Sequence, residues 1–328
     1  MFKVLFTLFA AATLINASAH AQSTWKPERN IEILVGSSSG TGTDRTARLM
    51  QKIWQEQKIV DIPAAVVNKP GGGSAVAMAY LNTHAGEGNY MLVTSYNIVT
   101  NEITGRSTMA PKDFTMIALL ISEYIGYAVR PDSPYKTLAD LAKALRENPE
   151  TVTVGTSSAA GGANHIAMGL LAKAAGADLK KLKVVIYNGG GEALAAMLGG
   201  HVQVWVNSAS SLSAQMNSNT IRTLAIASPK RMPGSLAKTP TMKEAGMPVV
   251  ADNWRLVIAP KGLNAAQTGY WDGVFKRFTQ SAEWNKDLDS ANMSNNYMNS
   301  AETTRYINSE YGDIKTILTE LGLAKAPK

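Results

Sequence analysis

The stretch Gly36-Ser37-Ser38-Ser39-Gly40-Thr41-Gly42-Thr43-Asp44 follows the apolar run Ile31 to Val35 and precedes a helical pattern from Arg45 to Gln55. A strand that feeds a loop of glycine and small hydroxyls, and then a helix, points backbone N–H groups and the positive end of a helix dipole at one spot. That chemistry holds an anion. The loop has no lysine, so it is not a phosphate loop of the G-x-x-x-x-G-K-[ST] kind. The spacing of Gly36, Gly40 and Gly42 does not match G-x-G-x-x-G either. The same order of strand, Gly/Ser loop and helix returns at residues 64–81, 151–175 and 183–198 with different loop residues. In open α/β sheets such loops sit at the carboxyl ends of strands, where ligands bind. Two groups of them in two halves of one chain predict two lobes facing across a cleft.

Other chemistries find little support. The chain has no cysteine, which removes disulfides, thiolate metal sites and cysteine nucleophiles together. Ser133-Pro134-Tyr135-Lys136 has S-x-x-K spacing, but no S-D-N or K-T-G accompanies it and no G-x-S-x-G is present. The histidines are not paired at metal-binding intervals, so no metal and no cofactor is expected. His165 reads as a structural residue, and His84 and His201 as isolated surface residues. The formal charge of +7 is scattered, and its densest cluster, Lys180-Lys181-x-Lys183, lacks interleaved aromatics. Nucleic acid is therefore not an expected partner, although a mildly positive surface draws anionic solutes. No enzymatic activity is expected.

Residues 1–21 read as a secretory signal. Lys3 gives a positive start, Val4 to Ile15 an apolar core too short to span a bilayer, and Ala19-His20-Ala21 a small-x-small site with cleavage after Ala21. An exported, cysteine-free chain suits the periplasm. The remainder is long enough for two lobes with their own cores. Strands are expected at 31–35, 64–68, 90–94, 123–130, 151–155, 183–187, 202–206, 223–227 and 254–259. Helices are expected at 45–55, 75–81, 138–147 with Thr137 as cap, 164–175 and 192–198. The tail from Ala265 reads as helical with one interruption near 292–299.

Six segments in order resemble the periplasmic receptors of tripartite tricarboxylate transporters, the Bug receptors. They are "ILVGSSSGTGTDRTARLM", "VVNKPGGGSAVAMAYL", "APKDFTMIALL", "VGTSSAAGGANHIAMGLLAKAAG", "YNGGGEALAAMLGGHVQVWV" and "NWRLVIAPKGL". The resemblance covers nearly the whole chain after the signal. It implies an α/β type II periplasmic-binding-protein fold: two lobes with a cleft and two crossover segments. Lobe 1 is then 22–125 with 251–328, lobe 2 is 126–250, and the hinge lies near Tyr124 and Trp254. It also implies a small carboxylate ligand, delivery to membrane permease subunits, and a monomer. A periplasmic partner that reports ligand to a sensor kinase is the alternative.

The chain departs from the family pattern at three places. Gly36-Ser37 stands where a proline-aromatic pair is usual, Thr41 replaces a loop glycine, and Asn207 stands where many members have aspartate. The last substitution removes a charge that would meet an ammonium group, so an amino-acid ligand is disfavoured.

A carboxylate taken into a dry cleft needs several converging donors. On lobe 1 these are expected from Ser37, Ser38, Ser39, Gly40 and Thr41, from Gly73 and Ser74, and from Ser95 and Tyr96. On lobe 2 they are expected from Thr156, Ser157 and Ser158, from Tyr187 and Gly190, and from Asn207. Trp254 is expected to wall the cleft near the hinge. Asp44 reads as a helix N-cap or a brace for the first loop rather than a ligand contact.

Overall fold

The apolar runs and glycine breaks become an alternation of strands and helices in the computed structural model, which describes residues 25–325 apart from Ser158 and Asn217. The signal segment and its cleavage after Ala21 lie outside the described residues. In chain order the elements are β1 (Ile31–Val35), α1 (Gly42–Glu56), β2 (Ala64–Asn68), α2 (Ala75–Asn82), β3 (Tyr90–Thr94), α3 (Asn97–Ile103), β4 (Phe114–Val129), α4 (Leu138–Glu147), β5 (Thr153–Ser157) and α5 (Ala163–Ala175). They continue with β6 (Lys183–Tyr187), α6 (Gly190–Leu198), β7 (Val204–Ser208), α7 (Ala209–Met216), β8 (Arg222–Ile226), β9 (Asp252–Pro260), α8 (Ala265–Gln280), α9 (Ala282–Ser290), β10 (Ser294–Met298) and α10 (Ser300–Glu320).

Local chemistry accounts for several of these bounds. In α1 the buried stripe Ala47, Met50, Ile53 and Trp54 repeats every three to four residues, so one face turns to the core. Trp54 there stacks on Trp271 of α8 with ring centroids 5.6 Å apart. Helix α4 starts at a capping box: the Thr137 hydroxyl accepts from the Asp140 N–H at 3.2 Å, and the Asp140 carboxylate accepts from the Thr137 N–H at 2.8 Å.

The structure differs from the sequence expectation where the pattern is ambiguous. The strand expected at 123–130 is the second half of β4, whose first half is a nearly unbroken buried run with no alternation to mark it as a strand. The strands expected at 151–155 and 202–206 start two residues later. A short 3₁₀ turn occupies Pro149–Thr151, and the Gln203 side chain accepts from the Thr153 N–H at 2.9 Å. Helices α3 and α7 are additional. The interruption in the tail holds β10, which pairs with β4.

Two sheets share β4. The first runs β2-β1-β3-β9-β4-β10, with β1, β2 and β3 parallel and β9 antiparallel to both neighbours. The second runs β6-β5-β7-β4-β8, with β5 parallel to β6 and β7, and β4 antiparallel to β7 and β8. Residues up to Tyr124 of β4 pair with β9; from Ile125 onward they pair with β7. The chain therefore crosses between sheets at Tyr124–Ile125 and returns at Ala251–Asp252, where the Ile125 N–H donates to the Ala251 carbonyl at 3.0 Å. Separate apolar cores lie on the two sides. One gathers Trp54, Trp271, Phe275 and Phe278; another gathers Tyr127, Leu141, Leu171 and Val204. No helix among the described residues is long and apolar enough to cross a membrane.

Candidate functional site

The strand–loop–helix units place their loops at the ends of the parallel strands, as the connections require. The first loop leaves β1 at Gly36. A Cβ on Gly36 would lie 2.3 Å from the Ser74 Cβ, so only glycine lets the first two glycine loops approach this closely. Asp44, buried in the first turn of α1, braces the loop. It accepts from the Gly40 N–H at 2.8 Å, from Asn68 Nδ2 at 2.9 Å and from Arg48 Nε at 3.0 Å. Burial raises the Asp44 pKa, but the Arg48, Gly40 and Asn68 hydrogen bonds outweigh it and hold the carboxyl at about 2. The loop hydroxyls bond one another: Ser37 to Thr41 at 2.6 Å and to Thr43 at 2.8 Å, and Thr41 to the Ser38 carbonyl at 2.9 Å. Ser38, Ser39 and Gly40 are exposed.

Gly73, with φ of +60°, and buried Ser74 belong to the second loop, which Asn101 holds by donating to the Gly73 carbonyl at 2.7 Å.

A cavity of about 230 Å³ opens where loops of both lobes converge. The start of α3 and the loop before it contribute Ser95, Tyr96 and Asn97; β5, α5 and β7 contribute Ser157, Asn164, Asn207 and Ser208; the crossing strands contribute Glu123 and Asn253. Asn207 is 6% exposed and its Nδ2 has no hydrogen-bond partner, while its Oδ1 accepts from the Ser208 N–H at 2.8 Å. A Cβ on Gly190 would lie 2.7 Å from that Nδ2, so the start of α6 packs directly on the amide. A buried, unmatched donor is costly, and a ligand acceptor is the natural match.

Of the residues the sequence singled out, Ser95, Tyr96, Ser157 and Asn207 line this cavity, and Gly190 abuts it. Thr156 is buried beneath it and donates to the Val206 carbonyl at 3.0 Å. Tyr187 lies over Gly155 and packs in the core that holds Trp205. Trp254 is fully buried, does not line the cavity, and stacks at 4.7 Å on Tyr96, which does. Ser158 lies outside the described residues. His84 is not an isolated surface residue: it stacks on Tyr90 at 3.6 Å and meets Glu87 at 3.1 Å. His165 accepts from the Gly161 N–H at 3.3 Å, and burial lowers its pKa.

Sequence reasoning missed Glu123, Asn97, Asn164 and Asn253. Glu123 had a visible signal, a charge inside an apolar run. Its carboxylate meets Arg255 Nη2 at 2.8 Å, with both side chains 7% exposed, and also accepts from Ser210 of α7. Arg255 Nη1 donates to Thr46 of α1 at 3.2 Å. On the opposite face of the crossing ladder a second cavity, about 440 Å³, is lined by Asp252, Tyr306 and Glu310. Burial pushes the Asp252 carboxyl up to about 6; burial, and then the Asp252 charge, push Glu310 up to about 7. No group of three His, Cys, Asp or Glu among the described residues is arranged to hold a metal ion.

The chain is 28% identical over 318 residues to the UPF0065 protein in the gbd 5′ region of Cupriavidus necator, covering 97% of this chain and 95% of that one. It superposes on a TctC solute-binding protein from Polaromonas with a TM-score of 0.77 at 23% identity, covering 90% and 99%. A Rhodopseudomonas palustris protein solved with adipate superposes with a TM-score of 0.75 at 22% identity, covering 91% and 99%. The family model described as tripartite tricarboxylate transporter family receptor matches residues 47–323, and the chain belongs to that family of periplasmic solute-binding proteins.

Proposed function

We propose that the protein captures one small carboxylate in the cleft between its lobes and delivers it to the membrane subunits of a tripartite tricarboxylate transporter. The observation that carries this reading is the buried, unmatched amide donor of Asn207 in a cavity lined from both sides. Neutral amides and hydroxyls suffice to hold a carboxylate when they converge out of water. Adipate, the ligand of the R. palustris relative, is a carboxylate and supports the class.

The lobes comprise 22–125 with 251–328, and 126–250. The ladder at Tyr124–Ile125 and Ala251–Asp252 is the hinge, exported chains lose residues 1–21, and the receptor works as a monomer. Neither lobe alone offers a complete donor set, so ligand favours the state in which both touch it.

A thermal-shift screen of mono-, di- and tricarboxylates and amino acids, followed by calorimetry on the hits, tests this. Binding of one carboxylate per chain is expected. A protein that ignores every carboxylate and binds a nucleotide or metal instead would overturn it.

A further inference from the structure

We propose that Glu123 sets the specificity of the cleft: it admits a small monocarboxylate whose far end carries a hydrogen-bond donor, and it rejects a second carboxylate. The proposal rests on the carboxylate-receptor reading above. Among the described residues lining the cavity, Glu123 is the charged one. The nearby cation, Arg255, stands behind it, held by Glu123 at 2.8 Å and by Thr46 at 3.2 Å. A Cβ on Gly42 would lie 2.7 Å from the guanidinium, so α1 closes over it. The charge of Arg255 is thus matched inside the protein before any ligand arrives, and the pair presents its acidic member to the cavity.

A carboxylate offers about four acceptor positions. Arg255 and Ser210 each take one on Glu123, which lines the cavity, and this leaves acceptor capacity for a ligand donor. A ligand hydroxyl or ammonium fills such a position. A ligand carboxylate there would sit against a like charge in a buried site, where both cannot stay ionised. The rest of the lining is built in the opposite sense, since Asn207 contributes an unmatched donor and Asn164 an amide. The lining thus offers one ligand both donors and an acceptor. The missing acid at position 207 therefore does not leave the cleft without one, because Glu123 supplies it from the crossing strand.

Calorimetry with a matched four-carbon set tests this: butyrate, 4-hydroxybutyrate, 4-aminobutyrate and succinate, with the three-, five- and six-carbon counterparts. The wild type should bind the hydroxy or the amino member of its best-fitting set at least about tenfold tighter than the unsubstituted acid or the diacid. Which of the two wins tells hydroxyl from ammonium recognition. Glu123→Gln should erase about tenfold or more of the preference over the diacid, because it removes the repelling charge and frees Arg255.

Should that variant fail to fold around an unpaired guanidinium, Glu123→Gln with Arg255→Gln removes both charges and must show the same loss of preference. A wild type that binds diacids as tightly as donor-bearing monoacids, or a preference unchanged in the folded variants, refutes the assignment and leaves the receptor reading standing. A wild type that binds no carboxylate overturns both.

Discussion

Replacing Asn207 by alanine separates a ligand contact from a structural amide. Its Nδ2 is buried without a partner, and its Oδ1 accepts one backbone hydrogen bond, from Ser208. Without ligand, the change loses that bond, about 0.5–1.5 kcal/mol, but also relieves an unmatched buried donor that costs about 1–3 kcal/mol. The two terms oppose, so apo stability should change by between about 0.5 kcal/mol lost and about 2.5 kcal/mol gained. With ligand, a hydrogen bond to a carboxylate is lost, worth about 1.5–3 kcal/mol, so affinity should fall roughly 10- to 150-fold. Asn207→Asp keeps the acceptor for Ser208 and puts a negative charge where the ligand carboxylate sits, so it should bind more weakly still. Urea unfolding of the apo protein and calorimetry with the best ligand read the two terms separately. An alanine variant destabilised by more than about 2 kcal/mol with unchanged affinity would show that Asn207 serves the fold alone.

Asp44 and Asp252 should respond to pH in opposite senses. Asp44 has a folded pKa of about 2, below its unfolded value, so its contribution of about 2.5 kcal/mol is present above pH ~4 and lost as pH falls toward 2. Asp44→Asn should accordingly cost that much in urea unfolding at pH 7 and almost nothing near pH 2; equal costs at both would refute the bracing role. Asp252 has a folded pKa of about 6, above its unfolded value, so the folded state holds its proton longer and stability falls as pH rises from about 4 through 6. Asp252→Asn should match the wild type near pH 4 and exceed it by about 2–3 kcal/mol at pH 8, and an unchanged pH slope would contradict this. Ligand at 100 times its dissociation constant should add about 2.7 kcal/mol and shrink the radius of gyration in small-angle scattering; stabilisation with an unchanged scattering curve would place the site in one lobe.

The fold was legible wherever glycine breaks bounded short apolar runs. β1, β2, β3 and β6 stand at their expected residues because each is a five-residue run ending at a turn or a glycine loop. β4 was half legible. Its first half is buried on both faces within the six-stranded sheet, so alternation, the mark of a half-buried strand, never arises. β10 was invisible for the opposite reason: Ser294-Asn295-Asn296-Tyr297-Met298 has little strand propensity, and its pairing with β4 is a tertiary effect. Helices α3 and α7 are only seven and eight residues long, too short for a 3.6-residue period to stand out.

The site was legible by element and less so by side chain, because which hydroxyls meet a cavity depends on how the loops spend their hydrogen bonds. Ser37, Thr41 and Thr43 satisfy one another, and Thr156 donates into its own sheet, whereas Ser157 and Asn207 face the cavity. The strongest clue lay outside the loops. Glu123 and Arg255 are opposite charges set inside the apolar runs "IALLISEYIGYAV" and "NWRLVIAP". Charges are not buried singly, since an unpaired one costs several kcal/mol, so two such interruptions of opposite sign in strands that must pair imply that they meet. The ladder brings them together: Glu123 pairs with Asn253 and Arg255 with Ile121, two positions apart and on one face by the two-residue alternation. That face carries the cavity lined by Glu123 and Asn207, and the other carries Asp252 and Trp254. The two crossing strands thus turn the acidic member of the Glu123–Arg255 pair to the cavity on one side and the raised Asp252 carboxyl to the cavity on the other.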